Sequence, residues 1–290
     1  MRKKQQAPTL INTRIYGYWQ ALYMSLYSRR LYVDVAKRWR GFGFLYMLLL
    51  VAIASIPFSV RIIMDFNHYF NEQIISPIEQ IPPLTIQNGT LIFDKEMPYL
   101  IKNKAGSVVV AIDTSGVVKG LDGAYPELMM LITQHKLSFR LPYIKLFLGS
   151  LNRATEKPVI ETLYKQASDI FVAKEWIKAS GILKLKWFVL AMVYPMVFPF
   201  VFGLFYAFFL ILAMLAQVFS WLIFKYKLTY KEAARLLTVA STAQVVIFFI
   251  LLSANFLFHG VGLLAVILDA LYFSYAVLSV KRESKMMVHS

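Results

Sequence analysis

Apolar positions in this chain gather into unbroken runs instead of alternating with polar ones. Residues 41–60, 187–224 and 236–258 contain no Asp, Glu, Lys, Arg or His, and 261–280 contains only Asp269. About 20 helical residues cross a hydrocarbon layer about 30 Å thick, so each run is long enough to span it. The pattern predicts transmembrane helices at 41–64, 187–224, 236–258 and 261–280. The second run would be about 57 Å of helix, nearly twice the layer. It reads as one long crossing kinked at Pro195 and Pro199, with two short crossings as the alternative.

Between 65 and 186 the pattern changes. "DFNHYFNEQIISPIEQ" has a polar helical character that Pro82 and Pro83 end. "LTIQNGTLIF" holds two alternating segments around Asn88-Gly89, a dipeptide suited to the positive φ values of a type I′ turn, and predicts a β-hairpin. "SVVVAID" reads as a third strand. Residues 124–134 and 157–180, the latter with Pro158 near its start, read as helices. The predicted fold class is therefore an α-helical membrane protein, with an α+β domain inserted between the first and second of four transmembrane helices.

Charge orients this arrangement. The chain has 290 residues, 58% of them hydrophobic, a net charge of +15 and a mean hydropathy of +0.57. Nine Lys or Arg precede residue 41, four lie in 225–235 and three follow Val280, against only Asp34, Glu232 and Glu283. Short basic segments beside spans are retained in the cytoplasm. The excess charge is thus explained by topology, and no nucleic-acid partner is expected. Both termini, the 225–235 loop and the 281–290 tail are expected inside a bacterial cytoplasmic membrane, with 65–186 outside. Lys184 and Lys186 sit on the wrong side of this scheme. A cleaved signal is not expected: "AIAS" is embedded in the first run, behind a basic leader of 40 residues.

The leader at 1–40 carries a second pattern. Tyr16, Trp19, Tyr23, Tyr27 and Leu31 recur at helical steps, interleaved with basic residues. Tyr and Trp favour the headgroup layer and basic side chains favour anionic lipid. Trp19, Tyr23, Tyr27, Arg29, Arg30, Lys37, Arg38 and Arg40 are therefore candidate membrane-surface residues. Packing of this helix on a partner or on the chain's own loops is the competing reading.

The blocks "SLYSRRLYVDVAKRWRGFGFLYMLLLVAIASIP", "IPPLTIQNGTLIF" with "PYLI" and "VVVAIDTSG", and "KLTYKEAARLLTVAS" occur in that order. Together they resemble a bacterial membrane-protein family of unknown function, some members of which are labelled maltodextrin-utilisation proteins. The last block is also distantly similar to Yip1-type membrane domains. The resemblance implies a bacterial cytoplasmic membrane and an extracytoplasmic insert, and it carries no catalytic residue.

Asp269 is the main chemical candidate. A charge in mid-membrane costs about 2.5 kcal/mol or more, so such residues face a bundle interior and find partners. Gly262, Ala265, Asp269, Tyr272 and Ala276 form a mostly small helical stripe, which suits close helix packing. Counted from the cytoplasmic ends, Gln244 lies about 12 Å deep and Asp269 about 16 Å. Asp269, Gln244, Ser241 and Gln217 thus form a candidate intramembrane polar cluster. It reads either as a proton- or cation-responsive site or as a hydrogen-bonded clamp. A transport path needs more than one ionisable group, which favours the clamp.

Other motifs carry less. "VAIDTSG" departs from an aspartic-protease turn by the inserted Ser115 and lacks a second carboxylate. Asp65, His68 and Glu72 share a helical face as possible metal ligands, with a solvated helix as the competing reading. Cysteine is absent, and no zincin, nucleophile-elbow or phosphate-loop motif is present. No cofactor is expected. The expected function is a non-enzymatic accessory, sensory or scaffolding subunit contacting a protein partner through the outer domain. A small transporter or channel subunit using Asp269 is the alternative, and a membrane enzyme comes third.

Overall fold

The computed structural model describes residues 13–121, 123, 125–140, 159–164, 169–256 and 258–288. The chain divides into two compact units, Met1–Arg61 with Tyr194–Ser290, and Ile62–Val193. Ten helices and eight strands are found among the described residues.

The first unit is helical. Its leader forms two short helices, α1 (Tyr18–Met24) and α2 (Arg29–Lys37), where the sequence predicted one. Ser28 is the reason: its extended backbone interrupts the helix, and its hydroxyl accepts from Leu31 N–H to start the next. Then come α3 (Phe44–Ala54) and α4 (Ile56–Phe70), broken at Ser55 just ahead of Pro57. Tyr194 Oη donates to Ala52 O beside this break at 2.9 Å. Tyr194 opens a ladder along α7 (Ile182–Phe224) in which Tyr194, Phe198, Phe202 and Tyr206 lie ring to ring at four-residue steps. Phe44 packs edge-on against Phe202 and Tyr206 at 5.1 and 5.2 Å. Residues 187–224 thus lie in one uninterrupted helix with Pro195 and Pro199 inside it.

The third predicted helix, 236–258, is corrected. Its run divides into α8 (Tyr230–Ala240) and α9 (Thr242–Ser253), bent by 44° around Ser241. Helix α8 also reaches back into 225–235, read from sequence as loop. Thr229 and Glu232 form a capping box that starts it there. Helix α10 (Val261–Val288) completes the unit. Phe44–Glu79, Ile182–Phe224 and Val261–Met286 are long and apolar enough to cross a membrane, and α8 with α9 passes that test only as a pair.

In the second unit, α4 continues through a π-helical turn at Asn71–Ile75 into α5 (Ser76–Glu79). The hairpin follows, β1 (Leu84–Gln87) and β2 (Thr90–Ile92), with Asn88 and Gly89 at φ 50° and 75° as the turn requires. Strands β3 (Tyr99–Lys102), β4 (Val108–Asp113), β5 (Met130–Thr133), β6 (Lys136–Arg140) and β7 (Val159–Leu163) form a five-stranded sheet in chain order. Only β4 and β5 pair in parallel. Strand β8 (Asp169–Phe171) joins β1 on the side away from β2, and α6 (Ala173–Ala179) follows.

The helices predicted at 124–134 and 157–180 are therefore corrected. The stretch 130–133 is strand β5, and Val159–Leu163 and Asp169–Phe171 are strands, with helix only from Ala173. Ala124, 157–158 and 165–168 lie outside the described residues. The physical cause at β5 is burial on both faces. Met130 and Ile132 face the main core with Phe66, Phe70 and Ile112, while Leu131 packs with Ala111, Val118 and Leu128. A strand covered on both sides shows an unbroken apolar run and loses its alternation.

Candidate functional site

The polar cluster is built where α9 and α10 pack together. Asp269 is 6% exposed and Gln244 8% exposed. With its amide nitrogen turned toward the carboxylate, Gln244 donates to both Asp269 oxygens at 2.9 and 3.0 Å. The other two predicted members do not join. Gln217 donates to Leu228 O at 3.0 Å, because the connection after α7 folds back against that helix. Ser241 spends its hydroxyl on Thr238 O, at the bend between α8 and α9. Of the small stripe, Gly262 stands in open space, whereas Asp269 and Ala276 are buried with Phe273, Val277 and Val280. The arrangement ties two helices together through a two-oxygen hydrogen bond.

A second polar node was not foreseen. Asp34, 1% exposed, accepts from the Ile15 and Tyr16 backbone N–H groups, from Arg38 and from Trp39 Nε1, at 3.1 to 3.3 Å. Arg235 donates to Ala36 O and Trp39 O, at the carbonyl end of α2. Lys281 does the same for Phe224 O at the end of α7, and Arg61 for Ser253 O at the end of α9. Each places a cation at the negative end of a helix, where it satisfies an orphan carbonyl and the helix dipole together. Tyr46 Oη lies 2.6 Å from Thr242 Oγ1 and donates to Ala21 O. The signal in the sequence was Asp34 itself, one acid among nine cations.

The leader presents two faces. Leu31, Tyr32, Val35 and Ala36 are buried where α2 packs on α8 and α10, so docking on the chain's own helices holds for that face. Trp19, Tyr23 and Tyr27 are 66%, 55% and 63% exposed, and Arg29, Arg30, Lys37 and Arg40 are exposed too. Arg38 is half-buried, paired with Asp34.

In the second unit the remaining motifs have structural partners. Asp113 is buried, and its carboxylate accepts from Ser115 N–H, Ser115 Oγ and Val118 N–H, closing the turn after β4. Burial alone would raise its pKa; those hydrogen bonds outweigh it and hold the carboxyl below its ordinary range. Glu72 pairs with His68 at 2.9 Å and Lys104 at 2.7 Å. Among the described residues no group of three or more His, Cys, Asp or Glu is placed to hold a metal ion.

Apolar helices long enough to cross a bilayer, together with sheets in the middle of the chain, define an α-helical membrane protein carrying an α+β unit. The chain belongs to the DUF1189 family, described as a protein of unknown function, whose model matches residues 19–278. No curated protein and no solved structure matches it.

Proposed function

We propose that this is a non-enzymatic accessory subunit of the bacterial cytoplasmic membrane, with both termini inside and the sheet-bearing unit outside, where it binds a protein partner. The observation that carries the reading is β7. It is the edge strand of its sheet, paired with β6 on one side and with no other strand among the described residues. Val159–Leu163 is exposed throughout, with Ile160 at 56% and Leu163 at 73%. An edge strand that carries apolar side chains is a template for an added strand. The partner it fits is a protein that offers an extended segment. The maltodextrin label and the Yip1 likeness supply no residue to this reading.

Crosslinking in native membranes tests it, using Thr162→Cys in this Cys-free chain. A crosslinked product is expected that vanishes when Ile160→Lys and Leu163→Lys place charges on the edge. The product is expected to survive Val117→Lys, an equally exposed apolar position away from that edge. A chain recovered alone, a product of twice its own mass, or a product indifferent to the edge charges would overturn the reading.

A further inference from the structure

Helix α1 packs with one face only. Ala21 is fully buried, and the Tyr18 ring lies against Trp39 and Tyr46 at 5.0 and 6.5 Å. The opposite side shows Trp19, Tyr23 and, just past the helix end, Leu26 and Tyr27, with Ile15 exposed ahead of it. These side chains together form one aromatic-rich apolar surface on an otherwise basic segment.

Two hydrogen bonds set the level of this surface. Tyr46 Oη donates to Ala21 O, and Tyr46 stands in the first turn of α3, two residues past its start at Phe44. Tyr275 Oη donates to Tyr27 O at 2.6 Å. Tyr275 precedes Val280, the last residue of its uncharged stretch, by five residues, or about 7.5 Å of helix. Both ends of the α1 surface are thus fastened at the depth where apolar helices leave the hydrocarbon. That layer favours Tyr and Trp, whose rings are apolar and whose polar atoms stay hydrated.

Charge adds the second criterion. Arg29 and Arg30 follow Tyr27 directly and are exposed, with the Arg29 guanidinium held over the Tyr275 ring at 5.9 Å. Arg14, Lys37 and Arg40 are exposed in the same segment, while its one acid, Asp34, is buried and engaged by backbone and side-chain donors. The exposed charge of the segment is therefore positive.

We infer that the exposed face of α1 with Ile15, Leu26 and Tyr27 is a headgroup-layer anchor, and that Arg29 and Arg30 make it selective for anionic phospholipid. The buried face of the leader binds the chain itself, and this outer face binds the bilayer surface.

Single nitroxides at Trp19→Cys and Tyr23→Cys in the full chain, reconstituted into vesicles, test the anchor. The vesicles are phosphatidylcholine alone or mixed with phosphatidylglycerol, and Lys37→Cys serves as the water-facing control. In mixed vesicles, labels at 19 and 23 are expected to collide with oxygen more than with a water-soluble nickel chelate, and the label at 37 the reverse. The variant Arg29→Gln with Arg30→Gln is expected to weaken the preference for anionic lipid by up to about thirty-fold, from roughly fivefold per arginine near such a surface. Labels at 19 and 23 that meet nickel as freely as position 37 would overturn the anchor. So would labels shielded from both reagents, which would mean that protein covers the face. Equal insertion in the two vesicle types would overturn the anionic selectivity.

Discussion

Asp34 and Asp113 are both buried carboxylates, and each is held by donors from its own neighbourhood instead of by a distant ion. Their consequences with pH are worked out most simply for Asp113, in the sheet unit. Its pKa is lower folded than unfolded, so its hydrogen bonds stabilise the unit fully above the unfolded value of about 4. That contribution is lost as pH falls from there through the folded value. Acid should therefore lower the thermal midpoint of the sheet unit, followed by circular dichroism in detergent. Asp113→Asn should be less stable at neutral pH and should lose less on acidification, because it has no proton to take up. Parallel pH curves for the two proteins would show that the turn does not depend on the charge. At this scale the sequence was legible where chemistry is local. Asn88-Gly89 reads as a hairpin, because its turn chemistry acts within a few residues. Lys186 was not legible. Its ammonium reaches Asn71, 115 residues away in sequence, and lies over the Phe70 ring. Its burial there, at 8% exposed, leaves no mark in the charge pattern.

Helices α9 and α10 meet through Gln244 and Asp269, and counting residues inward from their ends sufficed to pair them. The same count could not exclude Gln217 or Ser241, because neither the fold-back after α7 nor the bend at Ser241 leaves a mark in hydropathy. In a bilayer, helices gain nothing by hiding apolar surface from lipid, so such a bond matters more to pairing than it would in water. The clamp makes a prediction about coupling and not only about loss. Gln244→Leu and Asp269→Leu should each change stability, and the double variant should depart from their sum by about 0.6 to 2 kcal/mol, the range of hydrogen bonds between membrane helices. Reversible unfolding in mixed micelles measures this. Additive effects would remove the clamp. The strands show the opposite limit of legibility. Leu128 to Ile132 is an unbroken apolar run rich in helix-forming Leu and Met, and only the cover on both faces of β5 makes it strand.

Across the whole molecule, the open question is whether the bent pair α8–α9 traverses the membrane or turns back within it. Its attachments bear on the choice. Thr242, the first residue of α9, is bonded to Tyr46, and Ser253, the last, accepts from Arg61. Tyr46 and Arg61 are 15 residues apart along α3 and α4, or about 22 Å of helix, most of a hydrocarbon layer about 30 Å thick. Helix α9 itself covers 11 residue steps from Thr242 to Ser253, about 16 Å, and is fastened to α3 at its start and to α4 at its end. A helix that turned back would bring Ser253 toward the level of Tyr46, where Arg61 does not reach. If α8–α9 and α10 both cross, two crossings separate Lys227 from Lys285 and these two positions are expected to share a compartment. The chain has no cysteine, so Lys104→Cys, Lys227→Cys and Lys285→Cys can be probed singly with an impermeant maleimide, any outer membrane being permeabilised. Labelling from outside is expected at 104 and not at 227 or 285. Labelling of exactly one of 227 and 285 would make α8–α9 a re-entrant turn. Protection of 104 with labelling of both 227 and 285 would put the sheet unit inside, and would remove the basis for a partner met at β7 beyond the membrane.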